Sequence, residues 1–547
     1  MRIRSRKNLK KKNSIIVFLF LLPLIGFGGF AGFLLYILND VASYTYVMPV
    51  PNTDYFYSLD DDIDTDYFAI MAENYEIQME TYHMMYTNIS LDIVYKDYNY
   101  DTVTKFELTD NANLHLGYTI ASQCLKYDVA VQENNVVNRL NATRMLTKLV
   151  YALSLFMAAP NGGLGINPDT GDWYPGTLAR IVASPDQRNI LPELFPPYEH
   201  YKHFNGTGIY HNWRVRLYTS RDELGGFYLS CASVLKFIDP SVDAASKWIY
   251  DRIVLLVEQM IEGFKRTNWL LLGGTGDPTG SDLNPVLEGS TWQLALCRLA
   301  ATANPDEYMS LYQYVLTRSL ASGSMGDVFG IIGGYYGYSF GLDVMLTLIW
   351  LEENPQVRYR YIQNYENNFY INTRYHRNAF FNMAHLIFMK MLNDGQKAGF
   401  QNPYYSDTDI RWDCLDQLWR FKTSGWEEGV RNYNLIQRPH STRETSTNPD
   451  IAALERSPRE RDWREFFATS PVGAIFSDLV GIEWDFGEGS DLYLYPLSVS
   501  EYGNHHWVWE HNKLDDNGGD PGGNGLEECA PNSFITIYWM ARAYGII

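Results

Sequence analysis

The chain lacks the signatures that usually name a reaction. It has no H-E-x-x-H pair, G-x-S-x-G elbow, Walker loop or G-x-G-x-x-G fingerprint. Zincin, serine-hydrolase, nucleotide and dinucleotide chemistry therefore lose their usual carriers. The five cysteines (Cys124, Cys231, Cys297, Cys414, Cys529) include no C-x-x-C pair, which excludes a zinc ribbon and a thioredoxin-type centre. Cys231 and Cys297 fall in apolar helical patterns and are expected as buried thiols, with one or two disulfides elsewhere left open. Positive charge is also scarce: 44 Lys and Arg against 64 Asp and Glu give a net charge of −20. Such a surface repels nucleic acid and anionic headgroups and suits a neutral or cationic ligand, or a bound divalent ion. A fixed-length repeat is missing as well, which argues against a regular helical solenoid.

Part of the scarce positive charge is concentrated at the start of the chain. Arg2, Arg4, Arg6, Lys7, Lys10, Lys11 and Lys12 precede an uncharged apolar stretch, residues 15–38. At about 1.5 Å of helical rise per residue that stretch can cross a bilayer core of roughly 30 Å. The expected plan is a basic cytoplasmic tail (1–14), a single-pass signal anchor (15–38), a juxtamembrane segment (39–113) and an exported domain (114–547) at the cell membrane. Cleavage near Val41-Ala42-Ser43 is the alternative, although a signal-peptide apolar region is usually only about 7–15 residues. The sequons at Asn88, Asn141 and Asn205 fit a glycosylated exterior.

Beyond the Tyr- and Asp-rich residues 44–112, read as holding little helix, apolar residues recur in steps of three and four. Ala245, Trp248, Ile249, Ile253, Leu256, Val257, Met260, Ile261 and Phe264 share one broad helical face. Similar patterns lie around 115–128, 140–158, 223–238, 291–303, 306–321, 338–353, 356–369, 378–393 and 531–545. Asp239-Pro240, Asn304-Pro305 and Asn354-Pro355 stand between such patterns, where Asn or Asp caps the next helix and Pro suits its first position. The expected fold is all-α: about six helical hairpins closed into an α/α toroid. Long loop insertions at 160–219, 267–289 and 423–530 are expected to be functional.

Asp222 opens a helix beside Arg221 and before Gly225-Gly226, while Ser220 and Glu223 match a capping box. The C-terminal loop supplies Asp485, Glu501, Glu510 and the pair His505-His506, any of which could serve acid–base chemistry. Asp515, Asn517 and Asp520 lie on a Gly-rich loop of hard oxygen ligands that would suit calcium, though the spacing departs from the EF-hand pattern. The acidic stretch Asp60-Asp61-Asp62-Ile63-Asp64-Thr65-Asp66 nominally contains D-D-x-x-D, a metal–diphosphate motif of terpene enzymes, but is discounted because it is expected near the membrane, outside the helical body. Trp173, Tyr174, His211, Trp213 and Trp507 offer aromatic faces bordered by polar groups, as sugar binding needs.

Four segments in order carry a resemblance: Gly117-Tyr118-Thr119-Ile120-Ala121-Ser122-Gln123, Pro175-Gly176-Thr177-Leu178-Ala179-Arg180, Ser220-Arg221-Asp222, and Tyr538-Trp539-Met540-Ala541-Arg542-Ala543-Tyr544-Gly545. Together they resemble a group of uncharacterised secreted or membrane-anchored bacterial and archaeal proteins, similar to six-hairpin glycosidases. The resemblance implies a toroid edged by long loops, with acids and Tyr, His or Arg acting on a glycan at its rim. Only Arg180, Arg221 and Asp222 fall in matched segments, and the resemblance assigns a role to none of them. The expected function is a membrane-anchored, extracellular carbohydrate-active protein. As a glycoside hydrolase it would use Asp222 with Glu501, Glu510 or Asp485, and His505 as a further acid or base. Its substrate would rest on Arg180, Arg221, His211, Trp213, Trp173, Tyr174 and Trp507. A lyase fits the acidic surface less well, and a non-catalytic glycan or protein receptor on the same fold is the rival reading.

Overall fold

The computed structural model describes residues 51, 65–107, 110–195, 203–273, 276, 278–279, 283, 289–322, 336–423, 499, 507–510 and 526–547. The expected tail and anchor (1–38), residues 60–64 of the D-D-x-x-D stretch, Asp485, Glu501, His505, His506, Asp515, Asn517 and Asp520 lie outside these residues. Among the described residues no helix is long and apolar enough to cross a membrane.

The described chain is mostly helical, as the periodicity predicts. The helices are α1 (Thr65–Gln78), α2 (Ala112–Gln132), α3 (Val136–Asn161), α4 (Arg221–Phe237), α5 (Ala244–Arg266), α6 (Gly289–Ala303), α7 (Pro305–Ser322), α8 (Tyr336–Leu351), α9 (Pro355–Asn364), α10 (Ala379–Lys390), α11 (Asp407–Arg420) and α12 (Asn532–Ala543). They pack as neighbours along the chain: α2 on α3, α4 on α5, α6 on α7, α8 on α9 and α10 on α11, while α12 packs on the distant α1. Two three-stranded antiparallel sheets decorate them. β1 (Asp92–Tyr95) lies between β2 (Val103–Glu107) and β6 (Glu527–Glu528); β5 (Arg214–Arg216) lies between β3 (Ile181–Ala183) and β4 (His203–Asn205).

Two kinds of helix account for the pattern. In α5, Ile249, Ile253, Leu256, Val257, Met260, Ile261 and Phe264 are buried and the opposite face is polar. Each such side chain contributes about 2 kcal/mol through removal from water. By contrast α2 is buried along almost its whole length, and α10 likewise, so both are enclosed by other helices. Such enclosure demands small residues at crossings. A side chain on Gly226 would strike the Leu114 backbone, and one on Gly117 would strike Gly226, so α2 and α4 meet backbone to backbone.

The caps follow the prediction in part. Asn354 accepts from the backbone N–H groups of Gln356 (3.0 Å) and Val357 (3.4 Å) and starts α9 at Pro355. Asp239 instead closes a local turn onto Ser241 (2.8 Å), and Asp243 caps α5 through Ser246 (2.8 Å). The Ser220–Glu223 capping box does not form, because the Ser220 hydroxyl accepts from Arg180 at 2.6 Å. Residues 44–112 hold more helix than expected. Tyr67, Phe68, Met71 and Tyr75 of α1 are buried against the body, and Glu76 accepts from Gln123, Lys126 and Trp539. All five cysteines are buried and unpaired, so neither of the disulfides left open forms.

Candidate active site

Several helix starts gather around one ring, that of Tyr118 on α2. Its hydroxyl donates to Asp343 of α8 at 3.0 Å. Its ring stacks on Trp507 with centroids 3.7 Å apart and planes 5° apart, and Phe380 of α10 meets both edge-on. Its carbonyl accepts from Thr536 of α12 at 3.2 Å. Beside it the first turns of α2 and α4 touch, with Asn113 donating to the Glu223 carbonyl at 3.1 Å. Trp292 of α6 donates to the Arg221 carbonyl at 2.9 Å, and the Arg221 guanidinium lies 6.0 Å from the Trp292 ring. The helices α2, α4, α6, α8, α10 and α12 therefore start at the same end of this unit.

Two acids, Asp222 and Asp343, act on a third there, Glu510. Asp222 is part-exposed in the first turn of α4. Asp343 is fully buried, and burial pushes its carboxyl well above the usual range. Glu510 ends a short 3-10 turn, Val508–Glu510, whose backbone is held from both sides. Its N–H donates to the Trp507 carbonyl (3.1 Å), Asn378 donates to the Trp509 carbonyl (2.7 Å), and the Trp509 indole donates to Ser533 (2.9 Å). Burial pushes the Glu510 carboxyl up to about 8, helped by the charges of Asp222, Asp343 and Asp92. Glu510 nonetheless keeps part of its surface accessible. A carboxyl largely surrounded by protein yet still touched by solvent is the setting in which acid catalysts are found.

Glu223 adjoins this group. It is fully buried, and its carboxyl is raised by burial, lowered by Arg180 at 4.0 Å and raised by Asp222. Arg180 itself is buried and occupied by protein partners: the Tyr218 carbonyl (3.0 Å), the Asp110 carbonyl (2.8 Å) and Ser220 (2.6 Å). It pins the approach to α4. Trp507 is likewise fully enclosed, so its ring positions the Glu510 turn through Tyr118.

The remaining aromatic candidates stand elsewhere on the unit. Trp173 and Tyr174 are part-exposed, with carbonyls that accept from Arg266 at the end of α5 (2.8 and 2.7 Å). His211 is exposed between β4 and β5, and Trp213 meets Tyr210 edge-on at 5.3 Å. The sequon residues Asn88, Asn141 and Asn205 are all exposed. No group of three His, Cys, Asp or Glu among the described residues is placed to hold a metal ion.

Asp343 escapes a motif search, yet it is the one charged residue of α8 between Tyr336 and Leu351. A lone acid inside an apolar helix is the signal that marks it. No protein-family model, curated protein or solved structure matches this chain.

Proposed function

We propose that the described helices close into an α/α toroid and that the end where the helix starts gather is a glycan-cleaving site. The chain would be exported and anchored by its N-terminal apolar stretch. Toroid closure is supported by the order of packing. α2 packs on α4, α4 on α6, α6 on α8, α8 on α10, α10 on α12, and α12 back on α2, while α3, α5, α7, α9, α11 and α1 each back one member. The arrangement meets the need of helical hairpins to bury every apolar face without an open end.

The observation that carries the functional reading is Glu510, a reachable carboxyl holding its proton to about pH 8 beside Asp222. Glycoside hydrolysis needs such a pair: a protonated acid that gives its proton to the leaving oxygen, and a carboxylate that either activates water or attacks the sugar carbon. Glu510 fills the first role and Asp222 the second. Tyr118, Trp507 and Asn378 hold the acid in place, and Asp343 helps to keep it protonated. The anchor reading and the acidic surface fit a neutral or cationic glycan outside the cell.

The test is hydrolysis of a panel of polysaccharides by the full-length protein, with reducing ends and unsaturated products measured together. Glu510→Gln and Asp222→Asn are each expected to lower kcat/KM by about 100-fold or more. With Glu510 as the acid, kcat/KM falls about tenfold per pH unit above pH 8. Glycan binding without any cleavage would sink the hydrolase and leave a surface receptor.

A further inference from the structure

Two of the helices that start at this end are entered through left-handed backbone on a bulky residue. Tyr218 (φ 63°) stands three residues before α4, and Arg377 (φ 54°) two residues before α10. Such backbone is uncommon outside Gly, Asn and Asp, and it persists where surrounding contacts impose it, most often at functional sites. At Arg377 those contacts are explicit. The side chain is buried, Nε donates to Asp413 of α11 at 2.8 Å, and Nη2 donates to Asp416 one turn later. Asp413 also accepts from Tyr405 (2.8 Å) and Asn382 (3.1 Å), and Asp416 from Arg420 (2.9 Å). A planar guanidinium forked across two fixed carboxylates cannot swing without losing one of them.

The residue that follows is Asn378, which serves two elements at once. Its Oδ1 caps α10, accepting from the N–H groups of Phe380 (3.1 Å) and Phe381 (3.3 Å). Its Nδ2 donates to the Trp509 carbonyl at 2.7 Å, one residue before Glu510. Ser533, in the first turn of α12, grips the same turn through Val508 (3.2 Å) and the Trp509 indole (2.9 Å). We propose that Arg377 and Asn378 form a positioning pair for Glu510. The fork over Asp413 and Asp416 holds the left-handed backbone, which presents the Asn378 amide to the Trp509 carbonyl and so sets how deeply Glu510 sits. The inference rests on the acid role given to Glu510 above and adds the residues that aim it.

A residue that only capped α10 would behave differently. Ser caps a helix about as well as Asn, but its short hydroxyl cannot also span to the Trp509 carbonyl. Freed of that bond, the Glu510 turn moves toward solvent, and a better hydrated carboxyl gives up its proton at lower pH. Among the described residues the acids that act on Glu510 are Asp222 of α4, Asp343 of α8 and Asp92 of β1, with Tyr118 of α2 beside them. Exchanging Asn378 alters none of these, so a shift reports the position of the turn.

The test follows thermal midpoints of the full-length protein in detergent from pH 5 to pH 9, and kcat/KM over the same range on any polysaccharide cleaved. In the parent, the fall in midpoint owed to Glu510 ends near pH 8. Asn378→Ser should end it about one pH unit lower or more, and kcat/KM should turn down at the same lower pH. Arg377→Lys keeps the charge without the planar fork and should shift both in the same direction. Asn354→Ser, the same exchange at the α9 cap, should change the midpoint equally at every pH. In a Glu510→Gln background Asn378→Ser should lose its pH-dependent effect. An unmoved profile in Asn378→Ser, or in a folded Arg377→Lys, would overturn the inference. Should Arg377→Lys fail to fold, Asn378→Ser decides alone. A moved midpoint profile without any cleavage leaves the pair standing while the hydrolase falls. Cleavage with an unmoved profile does the reverse.

Discussion

Glu510→Gln should make the folded protein less sensitive to alkali, a result that depends on no substrate. A carboxyl raised from 4.5 to about 8 binds a proton in the folded state where the unfolded chain has lost it. Stability therefore falls as pH rises from 4.5 through 8. For this single group the loss between pH 5 and pH 8 is about 3.5 kcal/mol at most, and about 2 kcal/mol once partial solvent access is allowed for. Glutamine has the shape of the protonated acid and does not titrate, so the variant matches the parent at pH 5 and exceeds it at pH 8. Scaling the unfolding entropy per residue to this chain gives about 1 °C per kcal/mol, hence about 2 °C at pH 8. The assay is the thermal midpoint of both proteins, followed by tryptophan fluorescence at half-unit steps from pH 5 to pH 9. Parallel curves would falsify the claim that Glu510 is held protonated, and would remove the main support for its role as an acid.

Three further outcomes follow from the packing. Gly226→Ala forces a methyl group into the Leu114 backbone and should cost about 3 kcal/mol or more, read as a lowered thermal midpoint or loss of soluble protein. His385 lies between Glu366 (2.9 Å) and Asp407 (3.5 Å); burial opposes its charge, but the two acids prevail and raise it to about 9. Its contribution is full below pH 6.5 and is lost as pH rises through 9, so His385→Asn should lower stability at pH 6 by about 3 kcal/mol and much less at pH 9.5. The five thiols should be silent to Ellman's reagent in the native protein and all five should react in denaturant; fewer than five would mean a disulfide.

How much of this was legible depended on whether the deciding contact was local. The outer helix α5 could be read because its apolar residues repeat with the helical period against a polar face. Asn354 could be read as a cap because its partners lie two and three residues away. Helix α11 has no such stripe: Asp413, Asp416, Gln417 and Arg420 are buried, with Asp413 and Asp416 paired to Arg377, so polar residues occupy the positions that usually announce a core. The apparent capping box at Ser220 failed for a similar reason, since Arg180 arrives from 40 residues upstream to take its hydroxyl. Asp222 and Glu510 were both legible as candidates, one from a helix start and one from an acid-rich loop. Glu510 was also legible as one of three possible partners for Asp222; the meeting of Tyr118, Asp343 and Trp507 beside them was not, because these come from distant segments.

The pairing of α1 with α12 sets a timetable for the chain. Glu76 accepts from Trp539, 463 residues later, and Gln78 reaches Glu528 across 450. During synthesis α1, the earliest of the described helices, therefore waits for nearly the whole polypeptide before α12 exists. Until then Tyr75 of α1 lacks Phe534, one of the rings that cover it. Such exposure invites aggregation in a chain that folds domain by domain from its leading end. A nascent chain arrested before residue 528 should thus remain protease-sensitive at α1 however well its middle has folded, and release of the final segment should protect it. Loss of α12 would therefore be felt by residues more than 400 positions earlier in the chain.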